Sequence, residues 1–462
     1  MKYFYKKFNE VIDLLDSKDP DYKNTKGREL FILGSKSEII LNFEDYQKKS
    51  FLYFQNEDEY KIYEALYLKI NKKKFKKNFY ICKLTNFIYK MKQKYSIYYY
   101  VLKDFYASFF VSSHKKKVDV LFLLDKSKYL NLFHDIKKKI FNSFYLIDSF
   151  DINLKKYKLN SVKLPFYKKF LILIFWKIQN KFDFHYKIIE STLLFYKPKT
   201  VVFAEGDSIH HSIVSKVCNK LKIKSICLQW GTSISEVPKF GYRNFECSKV
   251  LLHGKFFYNE ISKYNCKKKL FITGNHMIAK KDNKDRKKII FLFQHADATF
   301  DQLKYNDFIK FAEYSASKYP NWNFIIRYHP HQDNIKKIQY LENYKNVNFH
   351  YPDTTSLHKS LNNCTLAITI NSSTVVEALN YSIIPLVFNI SKIHGKFRPD
   401  LNKLKIGFEF FSYVEATKIL DSLLVSQKKI NFLKKNIIKN KFFFYRHSST
   451  TALKKIIKQI NN

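Results

Sequence analysis

Four segments carry the reading of the fold: VVFAEGDS (Val201 to Ser208), SICLQWGTS (Ser225 to Ser233), FIIRYHPH (Phe324 to His331) and LAITINSSTVVEAL (Leu366 to Leu379). In each, a short apolar run gives way abruptly to polar, turn-forming residues. Strands buried on both faces read as continuous apolar runs, and open α/β sheets place ligands beyond the carboxyl ends of such strands. The residues delivered there are Glu205, Asp207, Gln229, Gly231, Arg327, His329, Ser372, Ser373, Thr374 and Glu377. That inventory suits a site that grips a nucleotide monophosphate or diphosphate and activates a hydroxyl.

Outward from these segments the alternation continues. VDVLFLLD (Val118 to Asp125), Phe144 to Ile147, TVVFAE, SICLQ, KVLLHG and LFITG read as strands, with helical stretches around 165–196 and from Ser208 to Leu221. A charge-dense break, AKKDNKDRKK (Ala279 to Lys288), has no apolar face and separates a second series. That series runs IIFLFQ, a helix from Asp307 to Lys318, NFIIRYH, VNFHY, a helix from Ser356 to Leu361, LAITI, a helix from Thr374 to Leu379, and IIPLVFN. Two parallel sheets covered by helices follow from the pattern. The expected division is a helix-rich extension over 1–110, a Rossmann-like domain over 111–280, a second over 281–410, and amphipathic basic helices over 411–462.

The 462 residues exceed what one hydrophobic core supports, which agrees with two domains. A formal charge of +43, from 83 Lys and Arg against 40 Asp and Glu, points to a polyanionic partner such as nucleic acid or an anionic membrane face. Heavy use of Lys, Asn, Ile, Phe and Tyr is also what AT-rich codon bias produces at tolerant surface positions. The six cysteines have no C-x-x-C spacing and read as reduced thiols of a cytoplasmic protein. No apolar run approaches the roughly 18 residues that span a bilayer. The nearest, Phe170 to Trp176, reads as a core helix with basic flanks. No P-loop and no strand-linked G-x-G-x-x-G is present, and the sole Asp-x-Asp, Asp19 to Asp21, lies in a turn-like stretch.

Each cluster has its own chemistry. Arg327 and His329, two apart at a strand end, are expected to share a face and meet a phosphate, with His329 neutralising the departing group. Ser372, Ser373 and Thr374 would cap the next helix and offer free N–H groups to a phosphate. Glu377, a turn later, could accept hydrogen bonds from ribose hydroxyls. Glu205 and Asp207 flank Gly206 on a sharp turn and are candidates for a general base, as are His210 and His211 just beyond.

Taken in order, AEGDS, LQWGTS, VLLHG, FITGN, RYHPH and NSSTVVEALNYSIIPLVFN resemble the bacterial surface-polysaccharide glycosyltransferases of the GT-B fold. Capsular Kdo transferases, polysialyltransferases and CDP-glycerol glycerophosphotransferases are among these. The similarity spans roughly residues 118 to 400. It implies an α/β, GT-B-like chain whose two Rossmann-like domains face a cleft. It also implies metal-independent, inverting transfer of a sugar or polyol phosphate from a nucleotide-activated donor to a glycan or lipid-linked acceptor, with no cofactor. In that scheme Glu205 or Asp207 is the base, His329 and the Ser372 to Thr374 segment hold the donor phosphates, and Gln229, Gly231, Arg327 and Glu377 complete the donor site. Trp230 stands where relatives often carry His, and Ala204 where sialyltransferase-type relatives carry an acid. The expected location is cytoplasmic, peripheral on the inner membrane face. A sugar-nucleotide 2-epimerase of the same fold is the alternative enzyme, and a basic nucleic-acid-binding protein the alternative of another class, although no RNA-binding motif is legible.

Overall fold

The computed structural model describes residues 118–124, 129–146, 161–162, 181–206, 209–229, 245–263, 265–277, 287–294, 302–329, 337–370, 372, 374–390, 399–445 and 448–462. The expected extension over 1–110, the Phe170 to Trp176 segment, the charged break before Lys287, and the candidates Asp207, Gly231 and Ser373 lie outside them.

The first sheet contains β1 (Val120–Leu123), β2 (Ser143–Leu146), β3 (Ser161–Val162), β4 (Thr200–Ala204), β5 (Lys224–Leu228), β6 (Lys249–Leu252) and β7 (Leu270–Ile272). All pairs are parallel, in the order β3-β2-β1-β4-β5-β6-β7. The second holds β8 (Lys288–Leu292), β9 (Asn323–Arg327), β10 (Val347–His350), β11 (Leu366–Thr369), β12 (Ile384–Phe388) and β13 (Phe408–Phe410), in the order β10-β9-β8-β11-β12-β13 and again parallel. Both are doubly wound, with the strand order reversing between β1 and β4 and between β8 and β11. Ligand crevices form at such reversals.

Helices cover each sheet. In the first series these are α1 (Leu130–Lys137), α2 (Lys181–Tyr196), α3 (Ile209–Lys220) and α4 (Lys255–Ile261). The second has α5 (Gln302–Lys318), α6 (Leu357–Leu361), α7 (Thr374–Asn380), α8 (Tyr413–Leu424) and α9 (Gln427–Phe444), and α10 (Ser449–Asn461) ends the chain. Leu121, Leu123, Val201 and Phe203 pack against Ile189, Leu193, Val214 and Val217 of α2 and α3. Their alternate neighbours Phe122, Val202 and Ile226 pack on the other face against Phe133 and Ile136 of α1 and Ile456 and Ile460 of α10. Period-two alternation with both sides apolar is why these strands read as unbroken hydrophobic runs.

The last helix therefore returns to the first sheet after α8 and α9 have packed on the second. Ser448 caps it by accepting from the Thr451 N–H. Lys224 Nζ donates to the Ile460 carbonyl at 2.8 Å and Lys249 Nζ to Gln459 Oε1 at 3.0 Å, two cations at a helix C-terminus where the macrodipole favours them. Midway, Phe256 and Phe257 of α4 join the second sheet's apolar cluster, and Phe256 lies 5.4 Å ring to ring from Phe444.

Candidate functional site

At the first reversal β4 ends in Glu205, a buried carboxylate in the left-handed region at φ 66°, followed by Gly206 at φ 75°. A side chain on Gly206 would meet Cys227 Sγ and the Phe245 ring at 2.6 Å, so the turn requires glycine for space as well as for φ. The Tyr129 hydroxyl donates to Glu205 Oε2 at 2.5 Å, fixing the carboxylate from the β1 side. A non-glycine residue held at positive φ costs of order 1 kcal/mol and persists where its surroundings over-determine it.

Register places the next cluster alongside. Ala204 pairs with Leu228 and Leu228 with Leu251, so Glu205, Gln229 and His253 leave neighbouring strands in adjacent rows. Gln229 Oε1 accepts from the His253 backbone N–H at 2.9 Å, whereas its Nε2 is a buried donor without an acceptor. His211, a second candidate base, is buried and stacked on Phe203 at 5.2 Å. A stacked position against the sheet core differs from the cleft-facing one expected of a base.

In the second sheet, Arg327 does not stand open at the strand mouth. It is buried, and its Nη1 donates to the Thr355 carbonyl and to Ser360 Oγ, each at 2.8 Å. Desolvation holds its pKa below the ordinary value. Ser360 also meets His350 Nδ1 at 3.0 Å, so the guanidinium anchors the turn before α6. His329, expected on the same face, is exposed instead. The ladder ends at Arg327, and the alternation that would align the two side chains ends with it.

Beyond β11 the Thr374 N–H, the first of α7, donates to Ser372 Oγ at 3.2 Å, and the two hydroxyls lie 2.9 Å apart. Glu377 follows in the first turn of α7, and burial pushes its carboxyl up to about 7. Its charge is felt by Tyr381 and by Tyr445, which follows α9, and Tyr445 in turn lies against His253 with ring centroids 5.9 Å apart. Glu377, Tyr445 and His253 thus link the second sheet, the returning chain and the first sheet. Burial holds the His253 imidazole down to about 3, so it is uncharged at neutral pH.

Three of these residues, Tyr129, His253 and Tyr445, were not singled out by the sequence. His253 carried a usable signal, since VLLHG ends an apolar run in a polar residue as the other clusters do. Among the described residues, no three His, Cys, Asp or Glu side chains gather in an arrangement that could hold a metal ion.

No family model and no curated protein matches the chain. Solved structures do. The S. aureus MnaA complex with UDP aligns at a TM-score of 0.52 with 11% identity, covering 74% of this chain and 96% of that one. UDP-GlcNAc 2-epimerase from Neisseria meningitidis, bound to UDP-GlcNAc, aligns at 0.50 with 14% identity, covering 75% and 100%. The Methanocaldococcus jannaschii UDP-GlcNAc 2-epimerase, with UDP-GlcNAc and UDP, gives the same values. The fold is GT-B. At such identities the likeness establishes architecture alone. Of these three structures, two are named as 2-epimerases and none as a capsular transferase of the kind that the motifs resemble.

Proposed function

We propose that this chain is a nucleotide-sugar enzyme that binds a UDP-activated sugar between its two sheets and inverts the sugar at C2. Glu377 carries the reading. A carboxyl poised near 7 exchanges protons readily at physiological pH, and it stands just past the strand reversal where GT-B sheets present ligands. An epimerase must remove the C2 proton and return one to the opposite face, so it needs acid–base groups and no acceptor. Glu205, held by Tyr129 at the other reversal, supplies a second carboxylate. The diphosphate would lie at the β11–α7 turn beside Ser372 and Thr374, with no metal in the scheme. The likeness to structures bound to UDP and UDP-GlcNAc supports the nucleotide, and the 2-epimerases among them favour epimerisation over transfer.

Transfer to a surface glycan is the second reading, favoured by the RYHPH and NSSTVVEAL segments. The outer face of α9 suits either enzyme working at an anionic membrane. It exposes Lys428, Lys429, Lys435 and Lys439 around Phe432 and Ile438, a basic stripe with apolar residues able to enter a headgroup layer. No described helix is long and apolar enough to cross a membrane.

Proton NMR of UDP-GlcNAc incubated with the protein in D2O separates the readings. Appearance of the C2 epimer carrying deuterium at C2, without any acceptor, is the expected result. UDP release only when a glycan-lipid acceptor is added would move the assignment to transfer, and an unchanged substrate under both conditions would remove both.

A further inference from the structure

His253 leaves the end of β6 only 6% exposed, wedged between two rings: Phe257, edge-on at 5.9 Å, and Tyr445 at 5.9 Å with 35° between planes. A ring N–H of its imidazole donates to the Gln229 backbone carbonyl, which leaves the other ring nitrogen as an acceptor. The Gln229 side-chain amide cannot be reversed, because its Oε1 is taken by the His253 N–H. Its Nε2 is thereby a buried donor lacking an acceptor, a state that proteins avoid unless something else supplies the oxygen. Tyr445 adds a phenol on the second-sheet side, close enough to Glu377 for the carboxylate to act on it.

From this juxtaposition we infer that His253, Gln229 and Tyr445 form the sugar subsite of the crevice and hold the glycosyl group of the nucleotide-sugar; the inference rests on the nucleotide-sugar reading above. The set contains one acceptor, one donor and one group able to do either, and none is charged. Hydroxyl and acetamido groups of a neutral sugar are matched by such alternating partners, whereas phosphate would call for cations. The Tyr445 ring, tilted 35° to the imidazole, is the apolar surface against which the C–H face of a pyranose can rest. Because Gln229 and His253 come from the first sheet and Tyr445 from the chain that joins α9 to α10, the sugar would be contacted from both sides of the joint.

Calorimetric titrations of UDP and of UDP-GlcNAc into the native chain, Tyr445→Phe and His253→Phe test the assignment. Tyr445→Phe removes a single oxygen and keeps the ring, so its fold is expected to survive even where His253→Phe does not. Each variant should bind UDP-GlcNAc about fivefold to tenfold more weakly, the loss expected for one hydrogen bond, while UDP affinity changes less than twofold. Equal losses for both ligands would mean that the residues only hold the joint closed, and unchanged affinities would mean that the sugar lies elsewhere; either overturns the subsite alone. Failure of the native chain to bind UDP would overturn the nucleotide-sugar reading and the subsite with it.

Discussion

At the scale of single residues, Glu377 shows what burial does to a carboxyl. Glu377 ionises near 7 in the folded chain against 4.5 for an ordinary glutamate, because its carboxyl is desolvated. The unfolded chain therefore loses this proton first as pH rises. Stability is full below about 4.5, falls as pH rises to 7, and levels off above. Glu377→Gln removes the ionisation, so the variant should match the native chain near pH 5 and exceed it by about 1–2 kcal/mol near pH 8, the figure being reduced for a carboxyl still partly exposed. Urea unfolding at the two pH values measures this, and a gap that is the same at both would refute it. The sequence offered Glu377 as a ribose contact; its protonation was not legible, since burial comes from residues far along the chain, Tyr445 among them. Arg327 shows the converse. Its type suggested phosphate, but the partners that claim it, Thr355 before α6 and Ser360 within it, are some thirty residues on, and no spacing near Arg327 announces them.

Among elements, the parallel strands were legible and their partners were not. TVVFA, KSICL, KVLL, KIIFL and LAIT read directly as strands because both faces of each are buried, which leaves unbroken apolar runs between polar ends. β13, the three residues Phe408 to Phe410, escaped notice because an edge strand that short carries no periodicity. The amphipathic character of the tail was plain, yet nothing local shows that α10 leaves the second sheet to cover the first. Gly254 makes that crossing possible: a side chain there would come within 2.1 Å of the Phe444 carbonyl at the end of α9. Gly254→Ala should therefore lower stability by about 1–3 kcal/mol, through forced separation of α4 from α9 rather than through helix propensity. A thermal unfolding curve shifted down by several degrees is expected, and an unshifted Tm would show that the two elements part at no cost.

For the whole molecule, two doubly wound sheets bring their strand reversals, one carrying Glu205 and the other Ser372 to Glu377, into a single architecture shared with UDP-binding enzymes. His253, Tyr445 and Glu377 form a line of contacts from one sheet to the other. Among the described residues, the α9 stripe presents exposed lysines, and the polar groups described at the strand ends are mostly uncharged or carboxylic. The central claim is that a nucleoside diphosphate sits at the β11–α7 turn. Calorimetric titration of UDP into the native chain and into Thr374→Glu, which sets a negative charge at that turn, tests it most directly. One UDP per chain, with affinity reduced at least tenfold in the variant, is the predicted result; the same affinity in both proteins, or no binding to the native chain, would contradict it.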